Sequence, residues 1–164
     1  MGKSLTFTLA SAAATEAHGA GWGRAWQAAD QRRLLVGLVG DLGAGKTTWV
    51  RGLLRGLGVT GPVRSPTYTL VEPYEQDGLW IVHADLYRLG EAAELTPLGL
   101  DEWLDREPCW IFVEWPERAE PLMSLLDIRI ELLLVPAGRQ LSAVARTPAG
   151  AAALAPANLE HVSG

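Results

Sequence analysis

Of 164 residues, one is cysteine (Cys109) and two are lysine (Lys3 and Lys46), although Lys and Arg together number 14. A single cysteine excludes an internal disulfide framework and fits a reducing compartment. The sequence has no run of 18 apolar residues, which excludes a membrane-spanning helix. Its first residues lack the basic and apolar regions of a signal peptide, so a cytoplasmic location is expected. A formal net charge of −5 argues against a protein that coats nucleic acid, whose footprint is basic. It leaves open contact with a ribonucleoprotein or another protein. Repeats and heptad arrays are also missing. What remains is one domain's length of chain, 48% hydrophobic, long enough to bury roughly 70% of its unfolded surface. Codon bias accounts for the scarcity of lysine, but it makes Lys46 conspicuous as the one lysine beyond the third residue.

Leu5, Phe7 and Leu9 alternate with Thr6 and Thr8, the period of a half-buried strand. Ser11 is placed to cap a helix running to Ala29, in which Gly19, Gly21 and Gly23 are weak points. The continuous apolar runs 34–39, 79–84 and 110–113 are expected as strands buried on both faces, as in parallel sheets. Lys46 to Leu57 has helical spacing and stops at Gly58, and 67–72 reads as a short strand. One or two short helices are expected from Glu91 to Asp105. Ile128–Val135 and Leu141–Thr147 read as late strands around a Pro-Ala-Gly turn, and the residues from Pro148 onward as a loose tail or frayed helix. This order predicts an α/β domain around a mostly parallel sheet, with ligands at the carboxyl ends of its strands.

Gly40-Asp41-Leu42-Gly43-Ala44-Gly45-Lys46-Thr47 matches G-x-x-x-x-G-K-[ST] in full. At this composition about 0.002 chance matches are expected for that motif. Glycines let backbone N–H groups turn inward on an anion, and the helix opening at Lys46 adds its positive end. Lys46 is expected to reach β- and γ-phosphates, Thr47 to offer a hydroxyl to Mg²⁺, and Thr48 to meet the α-phosphate region. The two apolar runs that follow each end in an acid, Asp85 and Glu114. Mg²⁺ takes hard oxygen ligands, so either acid can serve the metal or position an attacking water, and the residues alone do not rank them. Ser65-Pro66-Thr67-Tyr68 lies between the loop helix and Asp85, where a segment can sense a terminal phosphate, with Thr67 as a hydroxyl donor.

Taken together, the loop with Thr48, the block Ser65-Pro66-Thr67-Tyr68-Thr69-Leu70-Val71-Glu72, then His83-Ala84-Asp85-Leu86-Tyr87-Arg88 and Val113-Glu114-Trp115-Pro116-Glu117 resemble the TsaE (YjeE) family, bacterial P-loop ATPases needed to form threonylcarbamoyladenosine in tRNA. The resemblance runs from about Leu5 to Thr147. It implies a three-layer α/β/α P-loop ATPase domain over residues 1–147, about seven strands in a mostly parallel sheet, with 148–164 as a C-terminal tail. It implies ATP/ADP and Mg²⁺ as cofactors and weak hydrolysis stimulated by a TsaD–TsaB complex, with tRNA met only indirectly through that complex. By the same resemblance, Lys46, Asp85, Glu114 and Thr67 are catalytic. Asp41, Leu42, Gly43, Ala44, Gly45, Lys46, Thr47 and Thr48 hold the nucleotide, joined by Arg139, Trp115 and Thr15. Thr47, Glu114 and Asp85 serve the metal.

A small-molecule kinase using the same loop is the rival reading, but the stretch from Glu91 to Arg106 carries Arg106 alone and makes a poor arginine lid. A GTPase is excluded more firmly: guanine reading uses N-K-x-D, and neither Lys3 nor Lys46 stands in such a segment. His83 has no second close His or Cys and reads as a packing residue, Arg88 as a phosphate, partner or ion-pair residue, and Cys109 as a small buried hydrophobe.

Overall fold

A computed structural model describes residues 3–63, 71–89 and 99–155. Ser11 caps α1 (Ala12–Ala28) by accepting the Ala14 N–H at 3.1 Å. It follows β1 (Ser4–Leu9) and leads to β2 (Arg33–Val39), the glycine loop and α2 (Lys46–Gly56). Then come β3 (Val71–Gln76), β4 (Leu79–Asp85), α3 (Leu100–Leu104), β5 (Cys109–Glu114), a short 3-10 turn (Pro116–Arg118), α4 (Glu120–Met123), β6 (Ile128–Val135), β7 (Gly138–Ala145) and α5 (Pro148–Ala153).

Among the described residues the strands form one seven-stranded sheet in the order β1-β7-β6-β2-β5-β4-β3. Its centre is parallel, with β2 paired to β6 on one side and β5 on the other, and β5 paired to β4. The outer pairs, β1–β7, β7–β6 and β3–β4, are antiparallel. The expected mostly parallel sheet is therefore corrected to a mixed one, with three ladders of each kind. The physical reason is connection length: β6 and β7 are joined by Pro136-Ala137, and β3 and β4 by Asp77-Gly78, too short for any crossover between parallel strands. Asp77 and Gly78 both have positive φ, 53° and 84°, the conformation that an Asp-Gly hairpin turn provides. That dipeptide was a legible signal for the antiparallel edge. Residues 67–70 of the expected short strand lie outside the described residues, as do most of the expected Glu91–Asp105 helices.

One sheet face carries Val36, Leu38, Trp110 and Phe112 against α1 and α2, where Trp22, Trp26, Trp49 and Leu53 are fully buried. The other carries Leu35, Val82, Ile111 and Val113 against Leu100, Leu122 and Leu126. The glycines expected to weaken α1 serve its packing instead. A Cβ at Gly19 would lie 2.2 Å from the Trp49 carbonyl oxygen, and one at Gly52 would lie 2.0 Å from that of Glu16, so the two helix backbones touch. The stretch expected as a loose tail or frayed helix begins with the helix α5, capped by Thr147, and buries Ala153 and Leu154 in the first core. No helix of the described residues is long and apolar enough to cross a membrane.

Candidate functional site

The centre of the sheet determines where the reactive groups meet. β2 runs straight into the glycine loop, and α2 leaves from it. Gly45 caps α2 in the left-handed region, φ 112°, with no side-chain cap. Gly40, at φ 155°, has the Leu132 carbonyl oxygen 2.5 Å from where a Cβ would stand. A side chain at either position would strain the loop. The first N–H groups of α2 have no intrahelical partner, and a helix start of this kind favours an anion.

Lys46 is buried. Its ammonium donates to the Gly40 carbonyl and, at 3.0 Å, to that of Asp41, and it sits 4.6 Å from the centre of the Trp115 ring. Burial lowers the Lys46 pKa, while Glu114, Asp85, Glu117 and Asp41 oppose the shift. The loop's own carbonyls hold the charge in place. Trp115 follows β5 with φ 60°, and Tyr87 packs 5.0 Å from it.

β4 and β5 end side by side, with Asp85 registered against Glu114. Glu114 is 3% exposed. Its Oε2 accepts the Thr47 hydroxyl at 2.7 Å and His83 Nε2 at 2.5 Å. Asp85 Oδ1 accepts the Tyr87 N–H at 3.0 Å. Burial raises the Asp85 pKa; the Tyr87 N–H opposes this, the Glu114 charge adds to it, and His83 and Lys46 oppose it more weakly.

Thr15 and Arg139, 124 residues apart in sequence, meet at the other side of the loop. The Arg139 guanidinium donates to Thr15 Oγ1 at 3.3 Å and lies against Gly45. Gly43, Thr48, Asp85, Glu114, Trp115 and Arg139 are among the residues lining a cleft of about 280 Å³ over the loop. Leu42 is exposed at the loop tip and Ala44 is buried beneath it. Every expected site residue is thus at or beside the cleft, except Thr67, which lies outside the described residues.

The donor set suits Mg²⁺. It offers one hydroxyl and two carboxylates, hard oxygens on one side of an anion loop. Among the described residues no cluster of three or more His, Cys, Asp or Glu forms a cage. Mg²⁺ keeps its waters and takes phosphate oxygens, so a half-open set is the kind it uses. Reading His83 as packing missed its contact with Glu114. The available signal was its place two residues before Asp85, on the same face of β4.

A strand–glycine loop–helix unit at the parallel centre of an α/β sheet, with lysine and threonine opening the helix and carboxylates closing the neighbouring strands, defines a P-loop ATPase-like protein. The chain belongs to the TsaE family: the model of the threonylcarbamoyl adenosine biosynthesis protein TsaE matches residues 9–140. That span holds every residue of the cleft named above. A "tRNA threonylcarbamoyladenosine biosynthesis protein TsaE" of Haemophilus influenzae is 39% identical over 120 residues, covering 73% of this chain and 75% of the relative. One from Synechocystis is 43% identical over 126 residues, covering 74% and 76%. The crystal structure of Bacillus subtilis YdiB superposes with a TM-score of 0.68 at 29% identity, covering 88% of this chain and 87% of that one.

Proposed function

We propose that this protein is the Mg²⁺-dependent, ATP-binding and weakly hydrolysing subunit that supports threonylcarbamoyl transfer to adenosine in tRNA by acting on a TsaD–TsaB complex, meeting tRNA only through that complex. Family membership supports the pathway. The observation that carries the nucleotide chemistry is the Thr47–Glu114 hydrogen bond of 2.7 Å beside Lys46, because it brings a loop hydroxyl and a strand-end carboxylate together where a phosphate-bound cation would stand.

In this reading Lys46 leaves the Gly40 and Asp41 carbonyls and places its ammonium on the β- and γ-phosphates. The N–H groups opening α2 bind the phosphate oxygens, and Arg139 adds charge on the Thr15 side. Thr47 would offer a hydroxyl lone pair to Mg²⁺ while its hydrogen stays bonded to Glu114. The bound Mg²⁺ would neutralise charge building on the phosphates. Asp85, raised by burial toward proton uptake, orients the attacking water and accepts its proton. Trp115 closes the cleft beside the lysine. Thr67 is assigned to the segment that senses the terminal phosphate. The protein works in the cytoplasm as a reset step between cycles of the transferring complex.

Calorimetric titration with ADP, with and without Mg²⁺, tests the site. Lys46→Ala is expected to abolish binding in a folded domain, and Glu114→Ala to remove the gain that Mg²⁺ confers. ATP affinity unchanged in Lys46→Ala would sink the phosphate-loop assignment. ATP turnover measured alone and with TsaD–TsaB tests the role: stimulation is expected. No stimulation, together with phosphoryl transfer to a small acceptor, would move the protein to the kinases.

A further inference from the structure

Glu114 is shared between two donors that arrive from different elements. Thr47 comes from the first turn of α2 and His83 from β4, and both end on Oε2. Because a carboxylate oxygen only accepts, His83 Nε2 carries the hydrogen in this bond. The His83 ring is fully buried, and its Nδ1 has no hydrogen-bond partner among the described residues. A histidine retained for packing alone would bury an unsatisfied nitrogen for nothing, because an apolar side chain fills the same space without that cost. The one specific thing His83 does here is to hold Oε2.

That hold matters because Thr47 cannot supply it alone. A hydroxyl serving a cation must aim a lone pair at it, which narrows the directions left for its own hydrogen. A buried carboxylate anchored only by Thr47 would swing as that hydroxyl turned. With His83 donating from behind, the carboxylate keeps a fixed partner and its plane stays set while the cleft fills. We infer that His83 is the positioning residue of this site, fixing Glu114 through Nε2–H so that the carboxylate and Thr47 present one preorganised edge to the nucleotide-bound cation. The inference rests on the function proposed above and adds to it a residue that never touches substrate or metal.

The experiment is calorimetric titration of ADP in Mg²⁺ and in EDTA for the wild type, His83→Leu, His83→Gln and His83→Asn. His83→Leu is expected to lose about 10–100-fold of the affinity gained from Mg²⁺, the range for partners that orient metal-serving side chains, while affinity in EDTA stays at the wild-type value. Gln carries its terminal amide to about where imidazole Nε2 stands and is expected to restore most of the gain. Asn falls short of Glu114 and is not. A metal-free readout accompanies this: nitrogen-15 NMR is expected to show a hydrogen on His83 Nε2 protected from exchange, with the protection lost in Glu114→Ala. A wild-type Mg²⁺ gain in His83→Leu, or an equal loss with and without Mg²⁺, would overturn the inference alone. Wild-type affinity indifferent to Mg²⁺ would sink the proposed function and the inference with it. If the Leu variant does not fold, equal Mg²⁺ gains in Gln and Asn would overturn it.

Discussion

His18 and His83 are both buried on secondary structure, yet a single bond gives them opposite tasks. His83 donates to a carboxylate, whereas His18 Nδ1 accepts the Trp49 indole N–H at 3.0 Å, inside a cluster with Phe7 and Trp22 at 4.6 and 4.7 Å. An accepting Nδ1 cannot also carry a hydrogen, so His18 is neutral, and burial lowers its pKa to about 4. The ordinary value is 6.5. Between those two pH values the unfolded chain binds the proton and the folded chain does not, so stability is complete above pH 6.5 and declines as pH falls toward 4. At pH 4.5 this one group is expected to remove about 2–3 kcal/mol. His18→Asn keeps an acceptor for Trp49 but does not titrate. Urea unfolding at pH 7.5 and 4.5 should show a smaller difference for the variant, and the same acid loss in both proteins would exclude His18 as its source. Residues of this scale were legible where chemistry is local in sequence. Gly40 to Thr48 declares itself, and the lone internal lysine confirms which loop it is. The partners of His83 and Thr15 lie 31 and 124 residues away, and no local pattern records them.

At the scale of elements, strand ends and helix starts were legible because each is set by a nearby residue: Ser11 for α1, Gly58 after α2, Asp85 and Glu114 closing their apolar runs. The glycines of α1 were misread because a helix was judged singly. They form a seam with those of α2: Gly19 and Gly23 face Trp49 and Leu53, while Gly52 and Gly56 face Glu16 and Ala20. Two competing effects decide what Gly52→Ala does. Helix propensity favours Ala by about 1 kcal/mol. Against this, the new Cβ would stand 2.0 Å from the Glu16 carbonyl oxygen, a backbone atom that cannot rotate away, and overpacking of this kind typically costs about 1–3 kcal/mol or more. With a backbone approach this close the packing cost sits at the upper end of that range and wins, and a net loss of about 1–2 kcal/mol is expected from urea unfolding. Because α2 starts at the phosphate loop, ADP affinity should fall as well. A neutral or stabilised variant would mean that the helices can separate without strain.

For the whole molecule, the parallel centre of the sheet and the edge that carries the cleft were legible, since buried apolar runs ending in acids report both. Strand direction was legible at the β3–β4 edge, where Asp77-Gly78 marks a hairpin, but not at the β1 edge, because β1 and β7 are brought together across most of the chain and nothing in either strand names the other. The end of the chain reads from composition as a loose tail or frayed helix, and composition hides how well small residues pack. Thr147 accepts the Gly150 N–H to cap α5 and donates to Asp127 Oδ1 at 2.6 Å, while Asp127 Oδ2 accepts the Leu35 N–H at 2.8 Å. That links α5 to the starts of β6 and β2, the sheet edge opposite the phosphate loop. Leu154 is fully buried, and the Trp26 indole donates to the Ala153 carbonyl at 3.0 Å. Leu154→Ala is therefore expected to cost about 3 kcal/mol, the usual size for a buried leucine. Ending the chain at Thr147 should cost more, since a buried indole N–H left without its acceptor adds about 1–3 kcal/mol. Distance predicts a second result: both variants, where folded, should bind ADP with Mg²⁺ as the wild type does, because α5 is anchored through Asp127 at the edge of the sheet opposite the glycine loop. Urea midpoints together with ADP titration separate the two claims. An unchanged midpoint on truncation would make α5 an ornament of the surface, whereas a lost affinity at full stability would tie it to the glycine loop.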